Sequence, residues 1–180
     1  MRIIVDQYVQ PRAGQTIADL GCGTGDLAEM LPDTVAYIGV DHNAAYLDSL
    51  QVDTVAGGRQ FLNGDLGALE EVGLPPIDTA VAIGVLHHLN DDEMRGMLRS
   101  VAAVLVPGGK LVTVDPVFAP DQASSARIMM AMDRGRFVRH REHYEMVFHE
   151  AFPDAVSALR TDFLPFPYTH CIFEATQAAR

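Results

Sequence analysis

The chain is short of the features that mark extracellular, membrane-spanning and metal-binding proteins. Its 180 residues include no tryptophan, two cysteines and a single lysine. Cys22 and Cys171 provide neither a disulfide framework nor a metal-ligand spacing, so we interpret both as free thiols in a reducing compartment and expect no metal site. The longest apolar run, Ala80–Leu86, is far below the ~20 residues of a membrane helix. With Asp6 where a signal peptide would stay apolar, we expect a cytoplasmic protein.

The charge balance excludes nucleic acid as a general partner. The formal net charge is −11, and a surface of this sign repels phosphate backbones. The basic residues are concentrated between residues 127 and 141, where five arginines stand against one acid. Two interpretations of this segment stay open. It is either a solvated face with local ion pairs to Glu142 and Glu145, or a pocket for a carboxylate or phosphate, which guanidinium groups match bidentately.

Short β-rich runs alternate with helical patterns along the chain, which is typical of a parallel sheet covered by helices. The clearest helix begins after Asn90, with Glu93 in a capping-box position, and Pro107-Gly108-Gly109 is expected to end it. The last two predicted strands pair antiparallel at one edge. The seven predicted strands are Thr16–Leu20, Ala36–Val40, Arg59–Asn63, Asp78–Ile83, Lys110–Asp115, Val156–Phe163 and His170–Thr176.

The strongest chemical signal is the segment from Asp19 to Asp26, Asp-Leu-Gly-Cys-Gly-Thr-Gly-Asp. A predicted strand runs directly into three alternating glycines, and an amphipathic helix is expected to follow. Glycines let the backbone turn tightly and approach a ligand closely, in the crevice at the carboxyl ends of parallel strands. A dinucleotide fingerprint would have a small residue where Asp26 stands. Asp19 suits a ligand amine, so the pattern favours a cationic, phosphate-free nucleoside cofactor.

Two further acids, Asp41 and Asp65, follow later predicted strands and are candidate ligands of the same nucleoside. Asp41 ends the second predicted strand, where a carboxylate can accept hydrogen bonds from both ribose hydroxyls. Asp65 follows the third predicted strand and is a candidate acceptor for an adenine amino group. Each acid has a second interpretation as the cap of the helix that follows it.

In these features the chain resembles the class I S-adenosylmethionine-dependent methyltransferases. The resemblance spans roughly residues 14–115 and implies an α/β fold, a Rossmann-like three-layer sandwich whose seven-stranded, mostly parallel sheet has an antiparallel last strand. Five segments carry it, in the order of the family: Asp19-Leu20-Gly21-Cys22-Gly23-Thr24-Gly25, Gly39-Val40-Asp41, Gly64-Asp65-Leu66, Val85-Leu86-His87-His88-Leu89 and Leu105-Val106-Pro107-Gly108-Gly109.

The resemblance implies S-adenosylmethionine as the cofactor and assigns roles to the matching positions. Asp19 and the glycine loop would hold the methionine part, and Asp41 the ribose, with the adjacent His42 beside the adenosine. Asp65 and its neighbour would flank the adenine. The implied cofactor-binding residues are Asp19, Gly21, Cys22, Gly23, Gly25, Asp41, His42, Asp65, Leu66 and Gly84.

We therefore predict one methyltransferase domain over residues 1–180. It divides into a short N-terminal helix (1–13), a cofactor-binding core (14–115), a substrate-site insertion (116–155) and C-terminal hairpin strands (156–180). The expected acceptor is a small molecule, with an anionic one favoured by the arginine-rich segment, and the expected state is a monomer or homodimer without nucleic-acid or membrane partners. Two alternatives stay open: a non-catalytic cofactor-binding partner subunit and, against the spacing of the glycines, a nicotinamide oxidoreductase.

Methyl transfer from a sulfonium is an in-line displacement that needs orientation above all. A general base is required only where the acceptor atom carries a proton, and the sequence leaves open whether oxygen, nitrogen or carbon is methylated. The candidate bases are His87, His88 and His170. Because insertions after the fifth strand commonly shape the substrate site in the resembled family, the candidate acceptor-binding residues are Arg134, Arg136, Arg139 and Tyr144.

Overall fold

The computed structural model describes residues 1–50, 58–120, 122, 135–164 and 168–178. Seven of its strands form one sheet, and a two-residue strand pairs beside it. In chain order the strands are β1 Thr16–Leu20, β2 Ala36–Asp41, β3 Arg59–Asn63, β4 Ile77–Ile83, β5 Leu105–Phe118, β6 Arg139–His140, β7 Val156–Arg160 and β8 His170–Thr176. The α-helices are α1 Arg2–Ile4, α2 Ala44–Leu50, α3 Leu69–Val72, α4 Asp91–Val104 and α5 Arg141–Ala151.

The sheet has the order β3-β2-β1-β4-β5-β8-β7, and β6 pairs β5. Strands β1 to β5 run parallel to one another, whereas β8 is antiparallel to both β5 and β7. The chain reverses its direction of progress across the sheet between β3 and β4, so the crevice beyond β1 and β4 lies at a topological switch point. The predicted fold class, with its antiparallel last strand, is confirmed.

Separate apolar clusters cover the two faces of the sheet, as expected for a three-layer sandwich. Successive side chains of β1 alternate between them, because strand residues point to opposite faces. Ala18 packs with the buried side chains of α4 and α5, and Ile17 packs with the N-terminal segment through Ile4 and Val9. The residues from Val5 to Val9 form a π-helical turn that continues α1.

The predicted capping box of α4 is confirmed, because the Asn90 side chain accepts from the backbone N–H groups of Asp92 and Glu93, and Glu93 bonds back to Asn90. The end of that helix was expected at Pro107, and this expectation is wrong. The helix ends at Val104 and β5 begins at Leu105. The proline and glycines lie within β5 at an irregularity of the pairing, where the register against β4 shifts between Ile77 and Thr79, since a strand can accommodate extra residues where its ladder is interrupted.

Two other local expectations differ from the structure. The amphipathic helix predicted after the glycine loop is a single 3-10 turn, Ala28–Met30, because Pro32 disfavours helical geometry at the preceding Leu31. The strand predicted over residues 156–163 ends at Arg160. No helix within the described ranges is long and apolar enough to cross a membrane. The division of the chain into a core and a substrate-site insertion stays a prediction.

Candidate functional site

The glycine loop after β1 lies across the carboxyl end of β2, where Val40 O accepts from the backbone N–H groups of Gly21 and Cys22 at 2.7 and 3.2 Å. Gly21 and Gly23 have φ values of +72° and +51°, which glycine adopts without steric cost. A Cβ on Gly21 would lie 2.7 Å from Val85 Cγ2, whereas a Cβ on Gly23 would meet nothing within 4 Å. The middle of the loop therefore opens away from the chain, and a ligand can approach its backbone there.

Asp19 is a buried carboxyl group at the end of β1. Its Oδ2 accepts a hydrogen bond of 2.7 Å from the hydroxyl of Tyr37 on β2. Desolvation raises its pKa to about 6, with the Tyr37 bond acting in the opposite direction and the charges of Asp41 and Asp26 adding to the rise. No salt bridge joins Asp19 to a cation among the described residues. A ligand ammonium group would therefore supply the positive charge that this carboxylate lacks.

Asp41, the last residue of β2, connects the glycine loop to the next helix. Its Oδ2 accepts from the backbone N–H of Gly23 at 2.9 Å, and its Oδ1 accepts from that of Asn43 at 2.8 Å. The Asn63 amide holds the backbone beneath it by donating to the carbonyls of Asp41 and His42 at 3.1 and 3.0 Å. Each carboxylate oxygen accepts more than one hydrogen bond, so Asp41 is fixed in place and keeps acceptor capacity for vicinal hydroxyls.

Two further predicted cofactor residues, His42 and Asp65, follow the carboxyl ends of β2 and β3. His42 is exposed beside Asp41, with its Nδ1 3.5 Å from Asp41 Oδ1. Asp65 is exposed, and its Oδ1 caps a 3-10 turn by accepting from Gly67 N at 2.8 Å. Asp65 therefore caps the turn that follows it, as its second interpretation predicts, and its contact with adenine stays a prediction. Burial raises the pKa of Cys22 to about 12, with the nearby Asp19 and Asp41 adding to the shift, so this thiol is inert at neutral pH.

A cavity of about 480 Å³ adjoins Gly84, the residue that follows β4. Its walls come from the N-terminal segment, the ends of β4, β5 and β8, and the segment before β8. The charged side-chain types Asp, Glu, Lys and Arg do not occur among the lining residues of the described chain, which are Met1, Ile4, Ile83, Gly84, His87, Val114, Pro116, Phe163, Leu164, Tyr168 and His170. Concave sites with mostly apolar walls and a few polar groups are typical of ligand pockets.

His87 lies on the wall of this cavity, in the 3-10 turn Leu86–His88. Its Nδ1 is 2.8 Å from Asp115 Oδ1, and its backbone N–H donates to the same oxygen at 3.1 Å. Asp115 is fully buried on β5, and desolvation raises its pKa, while its interactions with His87 act in the opposite direction. The two residues form a buried histidine–carboxylate pair beside the cavity.

His170 is the first residue of β8 and also lines the cavity. Its Nδ1 is buried without a hydrogen-bond partner in the described part of the chain. The rings of Phe163 and Tyr168 lie 5.5 and 5.1 Å from it. Desolvation, with a smaller contribution from His87, lowers the pKa of His170 to about 4, so the ring is neutral near pH 7. His88 is exposed outside the cavity, with its ring centroid 4.1 Å from that of His87.

Comparison with known proteins agrees with this geometry. The pattern of the family described as "methyltransferase domain" matches residues 17–109. The chain belongs to this methyltransferase family. An uncharacterized methyltransferase of Geobacillus kaustophilus is 31% identical over 128 residues, which cover 71% of this chain and 59% of that protein. The chain thus spans less than two thirds of the length of that relative.

Solved structures support the class I methyltransferase fold. The carbon methyltransferase CurJ has a TM-score of 0.75 at 19% identity, over 99% of this chain and 54% of CurJ. Phosphoethanolamine N-methyltransferase 2 of Haemonchus contortus, solved with S-adenosyl-L-methionine, has a TM-score of 0.73 at 15% identity, over 99% of this chain and 52% of that enzyme. At these identities the likeness concerns the fold, which is that of the class I S-adenosylmethionine-dependent methyltransferases.

Two of the predicted acceptor-binding residues, Arg139 and Tyr144, are not among the described lining residues of the cavity. Arg139 is buried, and its guanidinium donates to Asp91 Oδ1 and to the carbonyls of Leu86, Leu89 and Phe137. These bonds use its five N–H groups, so the geometry speaks against Arg139 as an acceptor ligand and gives it a structural role.

The other three predicted acceptor residues differ in their surroundings. Tyr144 is fully buried in the core, where its ring lies 5.5 Å from the Arg139 guanidinium, and it is closed to a ligand. Arg136 is exposed, and Arg134 lies outside the described residues. Arg134 and Arg136 therefore stay predictions, while the described lining of the cavity includes no arginine.

Sequence reasoning missed two residues of the methyltransferase site, Tyr37 and Asp115. Tyr37 is in register with Ile17, two residues before Asp19, so both side chains face the same side of the sheet. Asp115 follows Val114, which pairs with Ile83 at the end of β4. The signal in both cases is strand register, because it brings side chains together at the carboxyl ends of neighbouring strands.

Proposed function

We propose that this methyltransferase transfers a methyl group from S-adenosylmethionine to a small, neutral, largely apolar acceptor in the 480 Å³ cavity. The observation that carries the proposal is the buried Asp19 carboxyl group, whose charge lacks a cationic partner in the described chain, at the carboxyl end of β1 and next to the open glycine loop. A cationic amino-acid moiety fits this site, whereas a pyrophosphate would face Asp26 and the buried acid.

The residues present fit each part of the cofactor. The Asp19 carboxylate would hold the amino group, and the outward-opening backbone at Gly23 would receive the methionine part. Asp41, already fixed by two backbone N–H groups, would accept from the ribose hydroxyls. The sulfonium, when bound, supplies an activated methyl carbon whose leaving group is a neutral thioether.

The main contribution of the protein to catalysis is orientation. Gly84 lines the cavity and is also one of the expected cofactor-binding residues, so an acceptor in the cavity would meet the methyl donor there. The walls from β4, β5 and β8 would hold the acceptor in one orientation relative to the methyl donor. Fixed alignment of two reactants can lower a barrier by about 7–11 kcal/mol, which is sufficient for an activated donor without a covalent intermediate on the enzyme.

Isothermal calorimetry with S-adenosylhomocysteine and with NADH tests this proposal. We expect the wild type to bind S-adenosylhomocysteine and not NADH. Asp41→Asn should weaken binding about tenfold to a hundredfold, because the new amide NH₂ would face the N–H of Gly23 or Asn43. Asp48→Asn, on the exposed surface of α2, is the matched control and should bind like the wild type.

Binding of NADH alone would make the protein a nicotinamide oxidoreductase and contradict the proposal. Tight binding of S-adenosylhomocysteine without methyl consumption, across a panel of phenols, amines, thiols and carboxylic acids, would favour a non-catalytic cofactor-binding subunit instead.

A further inference from the structure

His170 lines the cavity, and its imidazole makes no hydrogen bond within the described part of the chain. Its neighbours are aromatic, with the rings of Phe163 and Tyr168 centred 5.5 and 5.1 Å away. A polar group that is buried without a hydrogen bond destabilises the folded protein. This imidazole therefore lacks a compensating interaction, which a ligand in the cavity would supply.

Ring packing alone does not account for a histidine at this position. A phenylalanine would make the same ring contacts with Phe163 and Tyr168 and would bring no polar atoms into the wall. Desolvation, with a smaller contribution from His87, lowers the pKa of His170 to about 4. The ring is therefore neutral near pH 7, with a proton on one nitrogen and a lone pair on the other.

The two nitrogens of this neutral ring differ in their access to a ligand. Nδ1 is fully enclosed, whereas Nε2 is not among the enclosed polar atoms that lack a partner, so Nε2 is the nitrogen that a molecule in the cavity can reach. Among buried backbone groups, an N–H without a partner is rarer than an acceptor without one. By the same order the enclosed Nδ1 holds the lone pair and Nε2 carries the proton. The wall thus presents an N–H donor to the cavity.

The position of His170 in the sheet separates it from the expected site of methyl transfer. His170 on β8 pairs with Pro116 of β5, whereas Gly84 follows β4, on the other side of β5. Two strand spacings, or about 10 Å, lie between these parts of the backbone. A molecule that meets the methyl donor beside Gly84 presents another part of itself to His170, so the group bound by His170 anchors the acceptor and does not react.

We propose that His170 is a specificity-determining residue, which donates a hydrogen bond from Nε2 to a carbonyl-type oxygen of the acceptor. The inference rests on the proposed function and narrows its substrate class to neutral molecules that join an apolar body to a ketone, ester or amide group. The apolar body contacts walls that include Ile83, Val114 and Leu164. A carbonyl is favoured over a carboxylate, because the described lining includes no lysine or arginine to pair with a charge.

The first test determines the tautomer of His170 in the protein with S-adenosylhomocysteine bound. Nitrogen NMR of isotope-labelled histidine distinguishes a protonated ring nitrogen from one with a lone pair, and the signal that disappears in His170→Gln identifies the residue. We expect the proton on Nε2 near pH 7, and a shift of its signal when acetophenone, a neutral aromatic ketone, is added. A proton on Nδ1 would overturn the inference, because the reachable nitrogen would then accept and not donate.

The second test compares acetophenone with α-methylstyrene, in which a CH₂ group replaces the carbonyl oxygen at nearly the same shape. Calorimetry measures the affinity of both probes with S-adenosylhomocysteine bound. In His170→Phe the affinity of acetophenone relative to α-methylstyrene should fall about tenfold, because the carbonyl would lose its donor. His170→Gln should keep most of this ratio, since its side-chain N–H can replace that of the imidazole. His140→Phe, the same change at an exposed histidine, is the matched control and should keep it fully.

A purely structural role of His170 predicts a different result, because loss of packing would weaken both probes equally. An unchanged affinity ratio in a His170→Phe protein that still binds S-adenosylhomocysteine would therefore overturn the inference. Failure of wild type to bind either probe would overturn it as well. Retained binding of S-adenosylhomocysteine identifies a folded variant, whereas failure of wild type to bind S-adenosylhomocysteine would instead contradict the proposed function.

Discussion

The hydroxyl of Tyr37 donates a 2.7 Å hydrogen bond to the buried carboxyl group of Asp19 across two parallel strands. This bond is the main favourable interaction of an acid whose burial raises its pKa to about 6. One donor offsets only part of the cost of burying a charge. In the unliganded protein the buried Asp19 carboxylate therefore lowers the free energy of unfolding, and binding of a cationic ligand would offset this cost.

Replacement of Asp19 by Asn should stabilise the unliganded protein at neutral pH and weaken S-adenosylhomocysteine binding. The pKa of Asp19 is raised from its ordinary 3.8 to about 6, so the folded state holds the proton more tightly than the unfolded chain. The contribution of Asp19 to stability is thus present below pH 3.8 and lost as pH rises through about 6. Thermal melts from acid to neutral pH should show wild type losing stability relative to Asp19→Asn over this window.

An equal melting temperature for both proteins at every pH would contradict this account of Asp19. Tyr37→Phe is the matched control for the hydrogen bond. It removes the hydroxyl donor and should raise the pKa of Asp19 further.

Two glycine substitutions in the same loop should have different effects. Gly21→Ala should destabilise the fold, because its Cβ would lie 2.7 Å from Val85 Cγ2. Gly23→Ala meets open space and costs only the ~1–2 kcal/mol of a left-handed conformation, but its methyl group should obstruct the ligand. Thermal melts and calorimetry separate the two outcomes. Unimpaired S-adenosylhomocysteine binding by Gly23→Ala would show that the ligand does not approach this part of the loop.

His170→Phe should reduce the fall in the free energy of unfolding that wild type shows as the pH drops below about 6.5. Burial lowers the pKa of His170 from 6.5 to about 4, so the unfolded chain binds a proton in this window that the folded protein does not. Stability therefore falls in wild type as pH drops from about 6.5 to about 4. Denaturant titrations at a series of pH values check the slope, and a His170→Phe profile parallel to that of wild type would disagree with a neutral His170.

Arg139→Ala should lower the free energy of unfolding by at least about 2 kcal/mol, because the buried carbonyl of Leu86, two partly buried carbonyls and Asp91 lose their donor. Arg136→Ala, which removes an exposed guanidinium three residues earlier, should stay within about 0.5 kcal/mol of wild type. Urea denaturation measures both. A rise in acceptor KM for Arg136→Ala would support an anionic acceptor and contradict the neutral one that the described cavity lining favours.

Local patterns in the sequence predict much of this fold. β1, β3 and β8 have the predicted bounds, because their β-rich runs are bounded by clear turn signals. The register shift near Pro107 depends instead on pairing with β4, which no local pattern encodes. The same limit applies to the site. The glycines and acids of the loop can be recognised in the sequence. Tyr37 and Asp115 cannot, because only strand register brings them next to Asp19 and His87.

Charge clustering was the least informative signal. An acceptor pocket was one of two interpretations of the arginine-rich segment, yet Arg139 binds backbone carbonyls of the 3-10 turn that follows β4. A buried guanidinium and a ligand-binding guanidinium have the same sequence signature, since both serve a group of acceptors. Only the geometry around the side chain distinguishes them.

A crystal structure with S-adenosylhomocysteine bound tests the central claim most directly. The account predicts the amino group at Asp19, the ribose hydroxyls at Asp41 and the sulfur facing the cavity beside Gly84. A ligand bound elsewhere, or an Asp41 carboxylate turned away from the bound sugar, would contradict it.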